Sequence, residues 1–338
     1  MDASDPVPPA VAGSHAAGSV RRLFGDRPRL YTMILVVALL AAFAYKLRTE
    51  GVFACPSGTP NGNHYLAYCN ATGFGDYDRG AFRFALEPAA VQAAAQADVL
   101  FLGNSRMQFA LSSQATVDWF GRAGARHYLL GFSHTENVVF AEPLLAGLKP
   151  RARAYVINVD RFFDDRVTSP TGEILHDKDV RSRYREKRFW QSLHRPLCTA
   201  VPALCGDALT FVRYRDAGHW ELRGDTSRLP VTGTGTGPSR DQEKWARYSD
   251  IARKFVARLP VDRACVILTI APSQETMLEE AQAIASALAL PLIASWPEGL
   301  RTFDSSHLDR PSAERWSAAF FEAAGEQLRM CLARNPRG

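Results

Sequence analysis

Ala97-Asp-Val-Leu-Phe-Leu-Gly-Asn-Ser105 is the stretch whose reading decides the fold. Its apolar run ends at Gly103, where the chain can turn sharply without a Cβ clash. Ser105 is thereby delivered to the carboxyl edge of a strand at 97–102, the edge at which open α/β sheets place their chemistry. Downstream, a helix at 113–124 is opened by Ser112 or Ser113 and closed by Gly121 or Gly124. Arg126-His-Tyr-Leu-Leu130 is a second strand ending at Gly131, Glu136–Leu148 a second helix stopped by Pro150, and Ala152–Val159 a third strand. The alternation resumes with a helix at 241–258, a strand at Cys265–Ile270, a helix at Ser273–Leu288 and a short strand at Leu290–Ala294. A loop carrying Asp304 and His307 then leads to a last helix, Pro311–Leu332. Short apolar strands alternating with helices predict a parallel sheet covered on both faces.

The remaining segments interrupt or precede that rhythm. Residues 165–240 read as an insertion into a domain covering 97–338. The insertion holds a basic helix candidate, Asp177–Leu193, and a Gly/Thr loop, Val231–Gly237. Residues 48–96 read as a loop-rich lead-in with an alanine-rich helix at 88–96. Residues 1–29, rich in Pro, Ala and Gly, read as a disordered tail on the cytoplasmic side. Between them Leu30–Tyr45 runs sixteen residues without a charge. That is a little short of the roughly 20 a spanning helix wants, but Arg29 and Lys46 can snorkel outward. The expected membrane segment is therefore 30–47. Arg21, Arg22, Arg27 and Arg29 outweigh Lys46 and Arg48, which puts the bulk of the chain outside the cytoplasm. The expectation is a single-pass protein of a bacterial inner membrane with a periplasmic domain. Ala42-Phe-Ala44 keeps a cleaved signal peptide and secretion open.

All six cysteines lie beyond the apolar segment, and an even number on the exported side reads as disulfides. Of fifteen connectivities, the shortest loops pair Cys55 with Cys69, Cys198 with Cys205 and Cys265 with Cys331. There is no Cys-x-x-Cys and no histidine at zinc-ligand spacing, so neither a metal nor a cofactor is expected. A net charge of +5 with no nucleic-acid-reading motif argues against a nucleic-acid partner.

Ser105 is the candidate nucleophile, His307 the base that activates it, and Asp304 the group that steadies the imidazole. The backbone N–H of Ser105, the N–H of Gly131 and the side chain of Asn158 are candidate oxyanion donors. Each signal has a plainer reading. Gly-x-Ser can be a helix-capping turn, and Asp304 or Ser305 can cap the last helix. Arg106 can bind an acidic group on a sugar or form an ion pair. His134 can line the site or cap a helix. The basic helix can touch anionic glycan or lipid headgroups, or simply face water. Trp190, Trp220, Trp245 and Trp316 can stack on sugars or fill the core.

The order of these blocks resembles the SGNH/GDSL hydrolase superfamily: Gly-x-Ser early, Gly after the second strand, Asn or Asp after the third, Asp-x-x-His before the last helix. The likeness covers about 97–332 without the insertion. Leu102-Gly-Asn-Ser-Arg106 is similar to the branch of membrane-tethered envelope proteins linked to polysaccharide O-acylation. The resemblance implies a flavodoxin-like three-layer α/β/α fold, a Ser105–His307–Asp304 triad and Gly131 as an oxyanion donor. Asn104 stands where the family has Asp. Ile157-Asn-Val-Asp160 departs from Gly-x-Asn-Asp, so either Asn158 or Asp160 could occupy the third block's Asn position. An Asp there would repel an oxyanion, which favours Asn158. The elbow of α/β-hydrolases is absent, because residue 107 is Met. The expected activity is acyl transfer or ester hydrolysis, with O-acetyl groups of an exported envelope polysaccharide as substrate and a membrane-bound acyl-donor protein as partner. The alternative is a non-catalytic envelope protein that binds glycan or such a partner.

Overall fold

A computed structural model describes residues 28–56, 62–133, 136–224, 229–237 and 242–334; the expected tail lies almost wholly outside them. The chain divides after Lys46 into two units. In chain order the main elements are α1 (Pro28–Thr49), β1 (His64–Cys69), β2 (Gly75–Asp76), α2 (Asp78–Arg83), α3 (Pro88–Ala95), β3 (Val99–Gly103), α4 (Ser105–Leu111), α5 (Gln114–Ala123), β4 (His127–Gly131), α6 (Val138–Leu148), β5 (Ala154–Asn158), α7 (Ser169–His176) and α8 (Val180–Ala200). There follow β6 (Thr210–Tyr214), β7 (Trp220–Arg223), β8 (Thr232–Gly233), α9 (Gln242–Arg258), β9 (Val266–Thr269), α10 (Leu278–Leu288), β10 (Leu292–Ile293), β11 (Arg301–Thr302) and α11 (Arg310–Ala333).

Helix α1 is longer at both ends than the expected 30–47 segment. Its 22 residues have the length and composition of a membrane anchor or signal sequence.

The second unit, from Leu47, is built on a five-stranded sheet in the order β10-β9-β5-β3-β4, parallel at every pairing. Numbered along the chain, that order is 2-1-3-4-5. The two faces feed different cores. Val99 and Phe101 pack with Trp119, Trp316 and Phe320 from α5 and α11. Leu100 and Leu102 pack with Leu144, Phe255 and Ile284 from α6, α9 and α10. A strand buried on both sides has no polar alternate, which is why its sequence is a continuous apolar run. Register matters for the site: Gly103 pairs with Gly131, so the segments leaving β3 and β4 emerge level with each other.

The described residues of 48–96 hold more regular structure than expected. They supply β1 and β2, and β1 pairs antiparallel with β6 of the insertion. The result is a second sheet, β2-β1-β6-β7, so the insertion completes a layer started by the lead-in. A buried arginine fastens this sheet to the edge strand of the first. Arg213 pairs with Asp78 at 2.6 Å and donates to the carbonyls of Leu129 and Gly131. Beside it, His127 and His219 meet through their Nε2 atoms at 2.8 Å. The Leu129 N–H donates to the Ala217 carbonyl at 3.0 Å. Gly218, at φ 74°, is required there: a Cβ would lie 2.6 Å from the Leu129 carbonyl oxygen.

All six cysteines pair in the shortest-loop pattern, Cys55–Cys69, Cys198–Cys205 and Cys265–Cys331, which fits an oxidising compartment. Helix ends follow local chemistry. Ser113 caps α5 through the Thr116 N–H at 3.1 Å, and Gly124 closes it in the left-handed region. Helix α6 starts at Val138, not Glu136, because Asn137 is its cap. Helix α10 starts at Leu278 because Ser273–Met277 forms a turn, tied by the Ser273 N–H to the Thr276 hydroxyl at 2.8 Å. The basic helix α8 runs on to Ala200, past the expected Leu193.

Candidate active site

β3 delivers the site through a position where only glycine fits. A Cβ on Gly103 would fall 2.9 Å from that of Asn158 and 3.3 Å from that of Met107. Asn104 then caps α4, its side-chain oxygen accepting from the Arg106 N–H at 3.0 Å. Ser105 is the first residue of α4, where helical geometry supplies no acceptor for its N–H. This short helix was not expected from the sequence; a turn was.

The Ser105 hydroxyl lies 2.7 Å from His307 Nε2, and His307 Nδ1 lies 2.6 Å from Asp304 Oδ2. A carboxylate only accepts, so Nδ1 carries the proton and Nε2 is left to accept from the serine. Asp304 also accepts the N–H groups of Ser306 and His307, at 3.1 and 2.8 Å. Burial pushes the Asp304 carboxyl up, but the hydrogen bond from His307 and these two N–H groups hold it below its ordinary value. The loop bends at Ser305, which takes φ 68°, a left-handed conformation costly for a residue with a Cβ. Its carbonyl is held by the Gln274 N–H at 3.1 Å. Neither Asp304 nor Ser305 caps the last helix; Asp309 does, accepting from the Ser312 N–H at 2.9 Å. The His307 ring sits near Phe109, with centroids 4.8 Å apart, and stacks on Phe303 at 5.6 Å.

Under the serine lies a polar network. Asn104 donates to Asp160 Oδ2 and to its carbonyl, at 2.9 and 3.0 Å. Arg106 pairs with the same carboxylate at 2.9 Å and reaches the Ser306 hydroxyl at 3.0 Å. One arginine thereby links the nucleophile's helix to the loop that carries the base. The second oxygen of Asp160, Oδ1, is buried without a protein partner among the described residues.

Two expected oxyanion donors are engaged elsewhere. The Gly131 N–H donates to Gln108 Oε1 at 3.0 Å. Asn158 donates its amide to Asn104 at 3.2 Å and accepts from the Ala271 N–H at 3.0 Å. Asn158 and Asp160 thus both brace Asn104. Gln108 went unforeseen because its signal, one helical turn after Ser105, exists only once α4 is known to be a helix. Phe109 was missed for the same reason.

Next to Phe109, Phe303 and Leu308 opens a groove of about 610 Å³, bordered by Tyr214, Trp220, Glu221 and Arg310. Trp220 N–H has no acceptor among the described residues. Trp316 fills the core. His134 lies outside the described residues. His194, Cys198 and Cys205 come together like metal ligands, but the two sulfurs are bonded to each other and offer no thiolate.

No family model, no curated protein and no solved structure matches the chain.

Proposed function

We propose that this chain is an SGNH/GDSL-type serine enzyme acting on O-acyl groups, chiefly acetyl, of an exported envelope polysaccharide. The hydrogen-bonded series Ser105–His307–Asp304 carries this reading. The 2-1-3-4-5 sheet with a core on each face supports the flavodoxin-like three-layer arrangement that the family implies.

In the first half-reaction Ser105 Oγ attacks the ester carbonyl and its proton passes to His307 Nε2. Asp304 stabilises the imidazolium, and the Ser105 N–H faces the developing oxyanion. The leaving alkoxide takes the proton from His307, and an acyl ester remains on Ser105. In the second half-reaction water or a sugar hydroxyl gives its proton to His307 and attacks that ester, and His307 passes the proton to the departing Ser105 Oγ. The groove beside His307 offers aromatic rings and polar edges suited to sugar rings. Helix α1 would hold the domain at the outer face of the inner membrane, near a membrane-bound acyl-donor protein.

The test is Ser105→Ala, read by fluorophosphonate labelling, p-nitrophenyl acetate turnover and the acetyl content of envelope glycan. Labelling and turnover should both be lost, and the glycan's acetyl content should fall if a sugar hydroxyl is the acceptor or rise if water is. Unchanged turnover and acetylation would remove Ser105 from the mechanism. A second reading, a non-catalytic glycan-binding protein, is favoured by the occupied Gly131 and Asn158 donors. Absence of fluorophosphonate labelling in the native chain would select it.

A further inference from the structure

Helix α8 has a face that the rest of the domain does not use. Val180, Tyr184, His194 and Cys198 point into the core. On the side away from them, Phe189, Leu193 and Leu197 recur every fourth residue and so form one stripe along the helix. Phe189 is 56% exposed and Leu197 41%. Trp190 borders the stripe at 41% exposure, and Val201 continues it at 46%. At 100° per residue, Arg181, Arg185, Arg188 and Arg195 fall on the strip alongside, all exposed. An apolar stripe flanked by arginines is the pattern of a helix lying on an anionic lipid surface.

The chain's path says which surface that is. The first residues of the domain are bound to α8 and to the turn after it. Phe53 meets Trp190 and His194 with ring centroids 6.5 and 5.6 Å away. The Gly206 N–H donates to the Phe53 carbonyl at 2.8 Å, and Arg48 to the Ala203 carbonyl at 3.1 Å. Phe53 is eight residues past Tyr45, the last residue of the apolar run, a reach of under about 29 Å even if fully extended. That tether limits how far α8 can stray from a bilayer crossed by the run.

We infer that the exposed face of α8 is a membrane-surface site. Phe189, Trp190, Leu193 and Leu197 enter the interfacial zone, while the four arginines bind the phosphates of anionic phospholipid headgroups. The inference rests on the reading of α1 as a membrane anchor and is independent of the acyl chemistry.

The full chain in nanodiscs tests it, with a nitroxide placed through Phe189→Cys or Leu197→Cys and controls at Val37→Cys in α1 and Met330→Cys in α11. Collisional relaxation by oxygen and by a water-soluble nickel chelate reads depth. In discs containing phosphatidylglycerol, positions 189 and 197 should be shielded from nickel several-fold relative to position 330. The shielding should weaken on going from 0.1 to 0.5 M salt (roughly a twofold shorter screening length) and with arginine-to-glutamine changes at 181, 185, 188 and 195. Nickel access at 189 and 197 equal to that at 330, with position 37 in lipid, overturns the surface while leaving the anchor. Position 37 in water overturns both. Equal shielding in purely zwitterionic discs removes the arginines from the proposal. Shielding produced only by added anionic polysaccharide assigns the face to glycan instead.

Discussion

The molecule's two sheets are held by opposite physics. In the parallel sheet the contacts are hydrocarbon: Val99 to Leu102, Val156, Ile157 and Val266 to Leu268 are all buried. In the antiparallel sheet the hub is a cation. Arg213 is fully buried, held by Asp78 and by the carbonyls of Leu129, Gly131 and Gly218, with Phe82, Phe132 and Trp220 rings 5.2–5.6 Å from its guanidinium. Hydrocarbon packing tolerates swaps of similar volume, whereas a buried charge tolerates no loss of its partner. The candidate chemistry rides on the first sheet, yet the peptide at Gly131 is set by the second.

The sharpest test of that division is Ser105→Ala. It should lower acyl turnover by ~10³-fold or more while leaving the thermal midpoint nearly unchanged. A large fall in the midpoint would mean that the serine is structural. Next, Arg213→Met should cost about 3–5 kcal/mol in urea unfolding, against less than about 1.5 kcal/mol for Leu130→Met in the parallel sheet. Adding Asp78→Leu to Arg213→Met should recover part of the loss, since the orphaned carboxylate is then gone. Equal costs for the arginine and leucine changes would erase the contrast.

The seam between the sheets should respond to acid. Burial pushes His219 down to about 4 and His127 well below its ordinary value, so both stay neutral in the fold. The unfolded chain binds protons from about pH 6.5 downward, so stability falls as pH drops from there towards 4. His219 keeps one edge on the groove, which limits the loss to about 2 kcal/mol, read from urea midpoints against pH. His219→Gln should flatten the curve in that window; an unchanged slope would remove the pair from the seam's energetics. Asp304 is separable, because its pKa is lowered: its contribution persists down to the ordinary carboxylate range and fades only below it. The smallest effect is Arg106→Lys, which loses the fork joining Asp160 to Ser306. It should lower kcat roughly tenfold with little change in KM. A change in KM alone would make Arg106 a substrate contact.

The same contrast explains what could be read from the amino acids. β3, β5 and β9 are legible because strands covered on both sides are apolar runs. Ser105 and His307 are legible because each sits at a break in the pattern beside a diagnostic neighbour. β1 and β6 are not, because His64–Cys69 and Thr210–Tyr214 alternate imperfectly and find each other only across about half of the domain. An arginine in β6 argues against burial until Asp78 is beside it. The occupied donors at Gly131 and Asn158 depend on which side chains compete for them in space, and no local spacing encodes that.

Helix α11 begins three residues after His307 and is fixed at both ends, by the Asp309 cap at its start and by Cys331 bonded to Cys265 near its finish. It works like a splint, adding a covalent restraint far from the imidazole to the local hold of Asp304 and Phe303. Chains matured among reductants would lose that covalent brace and keep only the packing of Trp316 and Phe320 in the core to hold the helix.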